Sequence, residues 1–170
     1  EEVNLRFYVY REEEGKRKRG VVFIRELVPK PAVTFVANKI YHEHYQTAAM
    51  RHQWELQDDL WQITYQWKKS AWQTLHIESR NTPFPLVEGS KEEFFTEHYW
   101  GYTQRKPDQT LEYFVDHHPW QLYPTVSYNV EVDFEENYGK SFRFLNEQVP
   151  DTIFLAEGSD IALQKSKVIR

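Results

Sequence analysis

KEEFFTEHYWGYTQRKPDQTLEYFVDHHPW, Lys91 to Trp120, reads as a short helix running into a hairpin. Ser90 can cap the helix through its hydroxyl, and Glu93 stands three residues on, where a capping box wants it. Phe94, Phe95 and Tyr99 put apolar surface on that turn, so it must dock on something. After Tyr102 the chain reads as extended, turns at Lys106-Pro107-Asp108, and returns in alternation from Leu111 to Val115. His117-His118-Pro119-Trp120 ends the strand.

Working outward, the same period of two recurs. Val3, Leu5, Phe7 and Val9 share one face of a strand from Val3 to Tyr10, with Glu2, Asn4, Arg6 and Tyr8 on the other. The run Glu12 to Arg19 is read as a charged, solvated hairpin tip, and a second strand covers Gly20 to Val28. Pro31 suits the first position of a helix whose apolar face is Val33, Val36, Ala37 and Ile40. Strands are expected over Gln46–Leu56, Leu60–Lys68 and Trp72–Arg80, and a loop over Asn81–Gly89. Val126 to Phe134 alternates again, Glu135–Pro150 is ambiguous, and Ile153–Ala156 with Ile161–Val168 looks like a closing hairpin. About eight to ten short strands and two helices imply a mainly β domain, barrel-like or of two packed antiparallel sheets with the helices outside.

At 170 residues the chain is most simply one domain, and 16% of it is aromatic, so Tyr and Trp polar tips must find partners in the core. A net charge of -5 and a pI near 5.8 disfavour nucleic acid. The absence of cysteine excludes disulfides and thiolate metal sites. Six glycines form no phosphate loop or dinucleotide fingerprint, which sets nucleotide cofactors aside. No apolar run suits a membrane span and no signal peptide is evident, so a cytoplasmic protein is expected. Glu1 is not a methionine, and a processed or trimmed chain is expected.

Four blocks in order carry a resemblance. Glu2-Val3-Asn4-Leu5-Arg6-Phe7-Tyr8-Val9 looks like the E-x-N-x-R-x-Y-V opening of the YqjF-like family of uncharacterised bacterial proteins. Gly20-Val21-Val22-Phe23, followed by Ala32-Val33, is similar to its next block. Phe94-x-Thr96-Glu97-x-Tyr99-x-x-Tyr102 resembles its F-L-T-E-R-Y-x-x-Y signature, and His118-Pro119-Trp120-x-Leu122 its H-x-P-W-like end. Family members carry an additional segment that would precede Glu1. More distantly the family resembles the acetoacetate decarboxylase fold, which implies a β-barrel around a cavity. In that group a helix leads to a Schiff-base lysine, and the resemblance puts Tyr45 about where it would stand. No lysine occurs from Ile40 to Trp67, and Lys39 falls in the helix, so imine chemistry is not implied.

The polar constellations are weighed against plain structural roles. His42-Glu43-His44 has a spacing that could set two imidazoles on a metal with a third ligand from His52, His76, His98, His117, His118 or a carboxylate, but charged residues at a helix end usually face water, and no metal is expected. His52, on an apolar strand face, is expected to be a hydrogen-bonded core histidine. Glu97, beside Phe94, Tyr99 and Trp100, is either a desolvated acid or base or a tie to a neighbouring group. Of His117 and His118, one is expected on a loop carbonyl. Glu2 and Arg6 either pair or face a cavity, where the resemblance puts the start of the first strand. The expected site is a mainly aromatic pocket with Glu2, Arg6, Tyr45, Glu97 and His118 as its polar groups, holding a small carboxylate or aromatic molecule without a cofactor. A lyase or hydrolase lacking the Schiff-base lysine is the second reading, and a protein-interaction subunit the third.

Overall fold

The computed structural model describes residues 1–169. In chain order the elements are β1 (Val3–Glu13), β2 (Lys16–Val28), α1 (Pro31–Val36) continuing as a π-helix (Ala37–Tyr41), β3 (Tyr45–Thr47), β4 (Met50–Gln57), β5 (Leu60–Lys68), β6 (Trp72–Arg80), α2 (Lys91–Thr96), β7 (Trp100–Lys106) and β8 (Gln109–Asp116). Then follow β9 (Leu122–Tyr123), β10 (Thr125–Glu131), α3 (Phe134–Tyr138), a 3-10 helix (Lys140–Glu147), β11 (Leu155–Ala156), β12 (Ala162–Leu163) and β13 (Lys167–Ile169). The mainly β class stands. Among the described residues the sheets are open paths, one mixed and the others antiparallel, rather than a closed barrel or two wholly antiparallel sheets. No helix among them is long and apolar enough to cross a membrane.

The elements group into two compact units, each assembled from separate stretches of chain. The first unit comprises Glu2–Thr47, Phe94–Pro119 and the stretch from Ser159. Its sheet runs β1-β2-β7-β8-β12, with β3 on β2 and β13 on β8. The β1–β2 hairpin runs through the charged stretch expected to be a loop, because the charges pair across the strands. Glu13 faces Lys16, Glu12 faces Arg17 and Arg11 faces Lys18, and the turn shrinks to Glu14-Gly15 with positive φ at both residues. A register shift between Leu5 and Arg6 bends β1. Beyond it Tyr8 packs on the end of α2, its ring 5.0 Å from Phe94 and 4.7 Å from His98. The expected docking of that helix thus has its partner. The apolar side expected for the first helix stays largely in solvent: Val33, Val36 and Ile40 are exposed and only Ala37 is buried.

Glu112 on β8 has no exposed side-chain surface, yet three cations surround it: Arg11 at 3.0 Å, Lys18 at 3.3 Å and Lys167 at 2.9 Å. Burial raises its pKa, but Lys167, Arg11 and Lys18 outweigh it and hold the carboxyl below its ordinary range. Lys167 thereby ties β13 to β8. The C-terminal strands pair with β8, not with each other, and β11 pairs with β9, so the expected closing hairpin is absent.

The second unit, Glu1 with Ala48–Glu93 and Trp120–Gly158, holds the antiparallel sheet β10-β6-β5-β4. The strand expected over Gln46–Leu56 breaks at Ala48-Ala49, so that β3 and β4 join different sheets. Phe134 leaves the strand expected there because Asp133 caps a helix, accepting the Glu136 amide at 3.0 Å. Trp67, 1% exposed, donates its indole N–H to Asn137 Oδ1 at 2.7 Å. Asn137 donates in turn to Gln73 Oε1 at 3.2 Å and to the Asp133 carbonyl at 2.7 Å. The ambiguous stretch after Glu135 is therefore helical and is pinned to the sheet by one buried amide.

Replacing Asn137 by Ala strands the Trp67 N–H in a dry core. We expect a loss of about 2–4 kcal/mol in urea unfolding, with early loss of the tryptophan fluorescence signal. A change below about 0.5 kcal/mol would mean that this amide does not hold the helix.

Candidate functional site

In the first unit, β2 carries one carboxylate that nothing neutralises. Glu26 stands between Asn4 of β1 and Tyr45 of β3 in register, and its amide donates to the His44 carbonyl at 3.2 Å. It is 3% exposed, and its Oε2 has no hydrogen-bond partner. Its neighbours arrive through a particular backbone path. The π-turn after α1 ends at His42 with φ 62°, and the Glu43 amide closes back on the Ala37 carbonyl at 3.2 Å. Asn38 then holds both backbone groups of Tyr45, donating to its carbonyl at 2.9 Å and accepting its amide at 2.8 Å. A side-chain amide thus stands in for a strand and fixes the phenol beside Glu26.

The far wall comes from β7 and β8. Tyr113 faces Gly101 in register, and its ring lies where a side chain on Gly101 would be: a Cβ there would come within 2.2 Å of two ring carbons. Glycine at this position lets the phenol lie across β7, where it and the Thr103 hydroxyl favour the charged form of the Glu43 carboxyl. The Thr103 hydroxyl also donates to the His42 carbonyl at 3.2 Å. The Tyr45 hydroxyl lies between Glu26 and Glu2, donating to Glu2 Oε2 at 3.5 Å.

Glu2, Glu26 and Glu43 have no ion-pair partner among the described residues. Burial pushes Glu26 up to about 8, against the lowering effect of the Tyr45 hydroxyl and with further help from the charges of Glu2 and Glu43. Burial likewise lifts Glu43 to about 7, partly offset by Tyr113 and Thr103. Both phenols are raised, first by burial and then by these carboxylates, and stay protonated through the neutral range. At neutral pH Glu26 therefore largely keeps its proton and Glu43 is about half protonated. The cluster presents acids and phenols as donors, the combination that stabilises a developing oxyanion or binds a carbonyl oxygen.

Of the five residues expected to form the site, the structure brings Glu2 and Tyr45 together. Arg6 donates to the Phe95 carbonyl at 3.0 Å and lies 5.5 Å from the Tyr8 ring centre. Glu97 accepts the Tyr99 hydroxyl, and its other carboxylate oxygen is buried without a partner. His118 is exposed, and its carbonyl accepts the His117 ring nitrogen at 3.0 Å. His52 is not a core residue: β4 is a sheet edge open on both faces, so its ring is exposed beside the Glu1 carboxylate. Among the described residues no three His, Asp or Glu converge as metal ligands. Sequence reasoning missed Glu26, Thr103 and Tyr113 and named Glu43 only as the residue between two candidate histidine ligands. The available signal was a glutamate just before Leu27-Val28, the end of an apolar strand.

These raised acids make stability depend on pH with a definite sign. The folded chain keeps protons that the unfolded chain releases near pH 4.5, so the contribution of Glu26 and Glu43 to stability is full below that pH. It falls as pH rises through about 7 and about 8, and is flat beyond. Each proton held contributes a slope of at most about 1.4 kcal/mol per pH unit. Urea unfolding between pH 5 and 9 should show this decline in the native chain and lose it in E26Q/E43Q. An equal slope in both would place the titrating groups elsewhere.

A sequence model of the family DUF2071, described as an uncharacterized conserved protein, matches residues 1–160 and so covers all four blocks that carried the resemblance. No curated protein matches the chain. The chain belongs to the DUF2071 family of uncharacterized conserved proteins.

Proposed function

We propose that this protein binds a small carbonyl or carboxylate compound through hydrogen bonds donated by Glu26, Glu43, Tyr45 and Tyr113. The observation that carries this reading is Glu26 Oε2, buried and without a partner on β2. A protonated oxygen in that position lacks an acceptor, which a ligand oxygen would supply, and a buried donor without an acceptor costs about 1–3 kcal/mol. The rings of Tyr45 beside Glu26 and Tyr113 beside Glu43 favour a flat or conjugated ligand. Glu2 lies at the solvent edge of the cluster, and Arg6, Glu97 and His118 are proposed as outer polar groups of the same unit.

A second reading, catalysis, is favoured by the position of Glu43. A carboxyl that titrates near neutrality is matched to proton transfer, so the pair would act as acid and base on a bound carbonyl compound, in a lyase or hydrolase. The mainly β architecture and the run from α1 to Tyr45 support a distant likeness to the acetoacetate decarboxylase fold, with open sheets in place of a barrel, working as one domain without an imine-forming lysine.

Thermal-shift titration with acetate, pyruvate, acetoacetate and benzoate tests binding. A ligand at a hundredfold its dissociation constant stabilises by about 2.7 kcal/mol. We expect stabilisation at pH 6 that is lost at pH 9 in the native chain, because ionised Glu26 and Glu43 repel the ligand. E26Q/E43Q should bind at both pH values, and Tyr113→Phe should bind more weakly at pH 6. Shifts that grow with pH, or that ignore all these substitutions, would contradict the site.

A further inference from the structure

We propose that β4 is a dimerisation edge, on which a second copy of this chain pairs antiparallel about a two-fold axis through Gln53. Edge strands are normally blunted by a proline, a bulge, a lysine or a covering element. None of these protects β4. Its register with β5 runs from Met50↔Trp67 to Gln57↔Leu60 without a shift, and seven of its eight residues are exposed. Among the described residues it pairs with no other strand.

The ladder decides which residues meet a newcomer. The Lys68 amide donates to the Ala49 carbonyl at 2.8 Å, so the odd-numbered residues of β4 spend their backbone groups on β5. Met50, His52, Trp54 and Leu56 consequently direct their N–H and C=O groups to the open edge. A two-fold axis at Gln53 joins Met50 to Leu56 and His52 to Trp54 of the second copy, with about eight backbone hydrogen bonds in all. This register extends the apolar side of the sheet, where Trp54 is 58% and Leu56 49% exposed.

The polar side settles the choice of partner. The same axis sets Arg51 opposite Glu55 of the second copy, and Glu55 opposite its Arg51, at the non-hydrogen-bonded rungs where side chains approach most closely. Within one chain Arg51 is placed by its Nε bond to Gln66 at 2.7 Å and by the Trp72 ring at 4.1 Å. Glu55 accepts from Gln53 at 2.6 Å, and neither charge has an ion-pair partner among the described residues. Moving the axis by one residue to either side opposes Arg51 with Gln57 or Gln53 instead. The opposite edge, β10, carries Glu131 and no cation, so a second copy finds no charge pair there. The strand is thus complementary to itself in one register.

Sedimentation equilibrium on the 170-residue chain, over micromolar to millimolar concentrations, tests this directly. The native chain should dimerise reversibly. Arg51→Glu and Glu55→Arg should each weaken the dimer at least tenfold by opposing like charges, with unchanged circular dichroism. Mixing the two variants should restore it, because a mixed pair again sets Glu opposite Arg at both positions. Trp54→Pro, which removes an outward amide, should weaken association as well. A native chain that stays monomeric throughout, a dimer indifferent to both charge reversals, or variants that do not recover on mixing would each overturn the proposal.

Discussion

Glu26 is confined on β2 by backbone pairing on both sides, with β1 at Asn4 and β3 at Tyr45, and this confinement governs the first unit's chemistry. Neither neighbouring strand offers it a cation. The segment that could have relieved it brings more acid, since the π-turn ending at His42 delivers Glu43 to the same place. Retaining a proton is the cheapest response, because an isolated buried carboxylate costs far more than a neutral acid. Asn38, Thr103 and Gly101 then look like parts of one arrangement. Each fixes the backbone or ring of a residue that touches the acids.

Glu112 shows the opposite outcome in the same sheet. It is as deeply buried as Glu26, yet Arg11, Lys18 and Lys167 close on it and it stays ionised. Glu13 shares those cations and is held down to about 2, led by its bond to Lys18. One cluster thus converts buried charge into a tie for the C-terminal strand, while the other keeps protons near neutral pH. Environment divides two chemically identical side chains into an ion-paired carboxylate and a carboxyl of raised pKa. The contrast also explains why the functional reading rests on Glu26 and Glu43 rather than on the more conspicuous charged hairpin.

Local signals made much of the second unit's sheet legible, because β5 and β6 alternate over nine residues each and have loop signals on either side. The capping of α2 was equally readable, and Ser90 Oγ does accept the Glu93 amide at 3.0 Å. Glu93 itself turns back to the Gly89 amide, one residue earlier than a capping box requires. What stayed hidden depended on which residues face one another across strands. Glu12 to Arg19 looks like loop until opposite charges are seen to face each other across β1 and β2. Tyr113 gains its role only from being opposite Gly101, and Lys167 only from being opposite Glu112. The candidate site followed the same rule: resemblance pointed to Tyr45, whereas Glu26 needed the register of three strands.

The protonation of the two acids is the claim on which the functional account turns, and carbon-13 NMR of the glutamate side-chain carboxyls reads it site by site. With Glu26 and Glu43 assigned by substitution to Gln, their resonances should move between the acid and carboxylate positions with midpoints of about 8 and about 7. Midpoints near the ordinary 4.5 for both would show ionised carboxylates at neutral pH and would contradict the account.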